Sequence, residues 1–160
     1  MNLVIDIENA CGNDDVPDEP DIRRWLTAAF AALPDSEQRN DVELSLRLVD
    51  ETESQALNQR YRNQNKPTNV LSFPSQLPAE LQLPLLGDLA ICTPVVEREA
   101  SEQGKTAAAH WAHMVVHGTL HLLGYDHIDD ADAEAMEALE SRILIGLGFD
   151  EPYEPNHTTH

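Results

Sequence analysis

The residues most able to do chemistry lie in one stretch, His117-Gly-Thr-Leu-His121-Leu-Leu-Gly-Tyr-Asp-His127. Two histidines four positions apart on a helix project to the same side, as two ligands of one ion must, and neutral imidazole suits Zn²⁺. Gly124 lets the chain turn sharply at the end of that helix, and His127, three residues on, is near enough to fold back as a third ligand. The spacing H-x3-H-x2-G-x2-H is the ligand pattern of metzincin zinc sites. Three protein ligands leave a fourth position free for water, the open arrangement of catalytic zinc. One zinc ion per chain is the expected cofactor.

In the metzincin pattern the residue after the first ligand is a glutamate that takes a proton from the metal's water. Here it is Gly118, so peptide hydrolysis of that type lacks its proton carrier. Zinc alone can bring the pKa of its water to about 7. That is enough for ester chemistry, but a phosphodiester also needs a cation for its anionic oxygens, and arginine offers a planar, permanently charged fork. Arg62 is the candidate. Arg60, Arg62 and Lys66 lie within seven positions, a local basic patch on a chain of formal charge −19. Positive charge at the C-terminal end of a helix explains the same cluster without any substrate. The overall acidity argues against sequence-independent adhesion to nucleic acid.

Several elements must position these residues. Successive helical positions are about 100° apart, so His110, His113, His117 and His121 form one stripe on a helix expected over Lys105 to Leu123. The rest of that helix is almost wholly apolar and should be buried. His110 and His113 are not required by the ligand pattern and are expected to pack in the core or support the ligands; Asp126, beside His127, could orient a ligand histidine or carry a proton, although an aspartate in a tight turn also has a backbone reason to be there. Before this helix, Asn2 to Glu8, Val42 to Val49, Asn69 to Phe73 and Gly87 to Cys92 read as strands. Residues 21 to 33 read as an amphipathic helix with Asp21 as its cap. Asp50 opens a short helix carrying Ala56, Leu57 and Tyr61 on one side, Thr93-Pro94 starts another, and Asp129 or Asp130 caps the last, whose apolar face is Ala133, Met136, Leu139, Ile143 and Leu144. Strands early and helices late predict an α+β fold, a small mixed β-sheet packed against helices with a central buried helix carrying the histidines. Residues 1–150 are expected to form a single metal-dependent hydrolase domain, and residues 151–160 a polar, mobile tail.

Two further blocks stand in order ahead of the histidines: Leu57-Asn58-Gln-Arg-Tyr61-Arg62, continuing to Lys66-Pro67-Thr68-Asn69-Val70-Leu71-Ser72-Phe73-Pro74, and Gly87-Asp88-Leu-Ala-Ile. With His117 to His127 they resemble the YbeY-type endoribonucleases, also called rRNA maturation factors, over most of the chain from Asp41 to Phe149. The resemblance implies a metal-dependent, single-strand-directed endoribonuclease of the cytoplasm. Its implied role is maturation of the 3′ end of small-subunit ribosomal RNA and ribosome quality control. It also implies zinc at His117, His121 and His127, and a catalytic or RNA-contacting Arg62. Lys66, Asn69 and Ser72 could present polar atoms to the substrate, whereas Val70, Leu71 and Phe73 read as core.

Composition is compatible with this reading: 41% apolar residues but only 5% aromatics imply a largely aliphatic core. Two cysteines, Cys11 and Cys92, at a spacing unlike a zinc knuckle or redox pair, fit a reduced cytoplasmic chain. No segment has the apolar length of a membrane span. Expected partners are single-stranded RNA, ribosomal RNA and proteins of the small ribosomal subunit. Two alternatives stay open: a zinc-stabilised assembly factor that cuts nothing, and a peptidase-like hydrolase.

Overall fold

The structure is a computed structural model that describes residues 2–77, 83–126, 129–150 and 152. Its described elements are β1 (Asn2–Asn9), α1 (Glu19–Ala31), a single 3₁₀ turn (Asp35–Glu37), β2 (Asp41–Val49), α2 (Glu51–Arg62), β3 (Val70–Pro74), β4 (Leu85–Cys92), α3 (Thr93–Glu102), α4 (Ala107–Leu122) and α5 (Asp130–Gly146). The four strands form one mixed sheet in the order β1-β2-β4-β3, the first three parallel and β3 antiparallel at the edge. This is the expected α+β fold. His127 and, apart from Pro152, the expected tail 151–160 lie outside the described residues.

Alternation along the strands puts Leu44, Leu46 and Leu48 of β2 on the same face as Leu89 and Ile91 of β4. That face is covered by α4, which also packs against α1, α3 and α5. Ser72 of β3 lies in one register row with Leu89, Leu46 and Ile7, so it stands at the edge of the apolar face, under α4. Trp25, Phe30 and Trp111 fill the space between helices and sheet and are essentially inaccessible to water.

Helix boundaries follow the local chemistry, with three corrections. The cap of α1 is Asp18, whose Oδ1 accepts the Asp21 N–H at 3.0 Å. Asp21 is not the cap: Pro20 has no N–H to satisfy and fits the first turn, so the helix begins ahead of it. Second, α2 is capped by Asp50 as expected, but its buried residues are Ser54 and Asn58; Ala56 and Tyr61 are exposed and Leu57 half-buried. The chain after α2 doubles back and offers backbone polar groups to this helix, and a polar face satisfies them. Ser54 Oγ donates to Thr68 O and accepts from Thr68 N, both at 2.9 Å, and Asn58 Nδ2 donates to Lys66 O at 2.9 Å. Third, Phe73 is not core but half-buried, its ring edge-on to Tyr61 at 5.0 Å between centroids.

Candidate metal centre

The long apolar helix α4 begins where Thr106 accepts the Ala109 N–H at 3.1 Å. It ends at Gly124, with φ +101°. There Gly124 N–H donates to His121 O and Tyr125 N–H donates to Leu120 O, both at 3.0 Å, the paired bonds of a Schellman cap. The turn is held from outside by the Tyr125 phenol, which donates to Glu37 at 3.2 Å. Burial, with Glu37 adding to it, raises the Tyr125 pKa, so the phenol stays protonated as a donor. Gly124 therefore sends the chain back toward the histidine face within a fixed turn.

Gly118 explains both the position of the helix and the missing glutamate. A Cβ here would lie 2.8 Å from Leu89 Cδ2 and 3.0 Å from Val70 Cγ2, so the residue after His117 points into the sheet. Only glycine lets α4 approach β3 and β4 this closely. A carboxylate at position 118 would be driven into the apolar interface and away from the histidines. Ser72 uses the close approach, donating its hydroxyl to Gly118 O at 3.0 Å and tying the edge strand to the helix.

The histidine stripe is formed as expected. His117 Nε2 and His121 Nε2 stand 3.1 Å apart. Two ligands of a tetrahedral zinc with bonds of 2.0–2.1 Å are separated by roughly 3.3 Å, so this pair already has the spacing that the ion imposes. Both rings line an open groove of about 760 Å³, together with Arg62, Asn69, Ser72, Asp126 and the aromatic rings of Tyr61, Phe73 and Tyr125. The donor chemistry and spacing thus fit zinc. Lys66 is exposed and does not line this groove; its carbonyl is held by Asn58. Asn69 lines it but is engaged internally, donating Nδ2 to Glu99 at 3.1 Å while its Oδ1 accepts from Val70 N at 2.7 Å.

Behind the stripe lie two carboxylates that the histidine ligand spacing does not single out. Glu140 of α5, with no exposed side-chain surface, places Oε2 at 2.7 Å from His113 Nε2 and Oε1 at 3.0 Å from His117 Nδ1. Burial pushes the Glu140 pKa up, but hydrogen bonds from the two histidines outweigh it and bring the value down to about 2. His113, His117 and Glu140 each bring a donor atom within 4.8 Å of the others, a second set that could hold a metal ion. Glu99 of α3 accepts from both Asn69 and His110, the latter at 2.9 Å. Burial, against the pull of Glu99, lowers the His110 pKa and keeps that ring neutral. The signal for Glu140 is legible in retrospect: Met136, Glu140 and Leu144 recur every four residues, so a carboxylate sits inside an apolar stripe.

The sequence model of a family described as Endoribonuclease YbeY matches residues 6–148. Among solved structures, the solution structure of TM1509 from Thermotoga maritima is similar, with a TM-score of 0.60 and 28% identity over 88% of this chain and 87% of that one.

Proposed function

The chain belongs to the YbeY endoribonuclease family, and from that premise we propose that it is a zinc-dependent endoribonuclease acting on single-stranded RNA. Its role would be maturation of the 3′ end of small-subunit ribosomal RNA and ribosome quality control in the cytoplasm, with residues 1–150 as the catalytic unit. His117, His121 and His127 would hold the ion. The observation that carries the reading is the 3.1 Å approach of the His117 and His121 Nε2 atoms beside a groove that Arg62 also lines. Zinc, when bound, supplies Lewis acidity toward a phosphate oxygen and activates water near neutral pH.

The remaining work falls to the chain's own groups. Arg62, at the exposed C-terminal end of α2, holds the non-bridging oxygens of the phosphate and offsets the charge that develops on them. Its helix is fastened to the loop that follows by Ser54 and Asn58, which fixes the approach of the guanidinium to the groove. Tyr61, Phe73 and Tyr125 offer ring surface against which unpaired bases stack, a sequence-tolerant contact suited to single strands. Among the described residues no helix is long and apolar enough to cross a membrane.

The test is cleavage of a single-stranded RNA by purified protein whose metal content is measured, with and without chelator, beside a His117→Ala control. Cleavage lost with chelator, restored by zinc and absent from the control is expected. Cleavage that persists in all three would overturn the reading. A protein that binds zinc and cuts nothing would instead support the assembly-factor alternative, in which the acidic surface meets basic ribosomal proteins.

A further inference from the structure

Two sets of potential metal donors share His117: one through its Nε2 toward His121, the other through its Nδ1 toward Glu140 and His113. We propose that the second is not a metal site but a positioning device, in which the Glu140 carboxylate takes one N–H from each of His113 and His117 and so fixes His117 with its Nε2 lone pair toward His121. The inference rests on the zinc assignment above and adds the residue that prepares the ligand for it.

Three observations carry it. First, Glu140 gives a separate oxygen to each ring, at 2.7 and 3.0 Å. Both are hydrogen-bond lengths, each between a ring nitrogen and its own carboxylate oxygen. Second, the Glu140 side chain is fully enclosed, whereas His117 retains 19% exposure and lines the groove together with His121, so a ligand in that groove can meet the ring but not the carboxylate. Third, a carboxylate can only accept here, so both rings must present N–H to it. For His117 that places the proton on Nδ1 and leaves Nε2 as the only nitrogen able to bind an ion. His113 completes the device by engaging the second oxygen of Glu140, which prevents the carboxylate from rotating away from His117.

Nitrogen-15 NMR of the histidine side chains, on protein as purified with its metal content recorded, reads the tautomer directly. His117 should carry its proton on Nδ1, protected from exchange. A proton on Nε2, or zinc bound through Nδ1, would overturn the proposal whether or not the enzyme cuts RNA. Zinc affinity measured against a chromophoric chelator gives the second readout. Glu140→Leu removes both acceptors and should weaken zinc binding 10- to 100-fold; Glu140→Gln, which keeps one acceptor, should weaken it less. Unchanged affinity in both variants would reduce Glu140 to a buried polar residue. Zinc binding abolished in both, yet retained in full by His121→Ala, would make Glu140 a ligand and sink the positioning role. If the parent itself binds no zinc, the proposed function fails, while the tautomer still decides the role of Glu140.

Discussion

Gly118→Ala should destabilise the protein although alanine is the better helix former. The added Cβ would stand 2.8 Å from Leu89 Cδ2 and 3.0 Å from Val70 Cγ2. Leu89 is 1% and Val70 8% exposed, so neither side chain can swing into solvent to make room. Overpacking of this kind costs about 1–3 kcal/mol, and two simultaneous short contacts place it in the upper part of that range. The helix propensity gained offsets about 1 kcal/mol. A net loss of about 1–2 kcal/mol is expected, or roughly 2–8 °C in Tm for a chain of this size. Urea and thermal unfolding followed by circular dichroism, with every sample at the same saturating zinc concentration, would measure it. The second arm is the same substitution in a Leu89→Ala background, where the space is already open. There the cost should shrink, giving a coupling energy on the order of 1 kcal/mol. A Gly118→Ala protein as stable as the parent, or an identical cost in both backgrounds, would refute the claim that position 118 is closed by β3 and β4. By the same reasoning Gly118→Glu, which restores the peptidase motif on paper, should yield a protein that fails to fold and gains no peptidase activity.

Arg62→Ala should lower RNA cleavage on the order of 100-fold with little change in Tm, since the side chain is exposed; Arg62→Lys should recover only part, because a point charge replaces a planar fork. Cleavage by Arg62→Ala at the parental rate would remove it from the site. His110 sets a pH dependence of stability: burial lowers its folded-state pKa from the ordinary 6.5, so as acidity increases the unfolded chain takes up that proton first. Stability from this group is complete above 6.5 and declines as pH falls toward the lower folded value, by at most about 1.4 kcal/mol per pH unit. Urea midpoints between about pH 5 and 8 should fall more steeply for the parent than for His110→Gln, and parallel curves would contradict the assignment.

What could be read in the sequence was whatever depends on neighbours along the chain. The stripe His110, His113, His117 and His121 is a consequence of helical period, and the turn at Gly124 follows from a residue that tolerates φ +101°. The strand faces follow from alternation. What could not be read was which groups meet across the fold. Asp21 and Asp18 are both acceptable caps by residue type, and only the helix's actual entry, ahead of Pro20, selects Asp18. Ala56 and Tyr61 would form a buried face on an isolated amphipathic helix, but the surface that α2 covers is the returning backbone of residues 66 to 68, so it is Ser54 and Asn58 that are buried.

The same distinction applies to the chemistry. The rings expected to bind metal are legible, yet the carboxylate that orients His117, and is itself held by His113, lies 23 positions from the first and 27 from the second, on a different helix. A carboxylate buried without partners would strongly favour its neutral form, and Glu140 does the opposite because two rings donate to it. Its charge and the orientation of the rings therefore maintain one another, and neither follows from the sequence of α4 or α5 alone. The apolar packing of α5 on α4 is what brings them together, through Met136, Leu139, Ile143 and Leu144 on either side of Glu140. A cavity introduced beside it, for example Met136→Ala, thus threatens the candidate metal centre through the orientation of His117 and not only through the stability of the core.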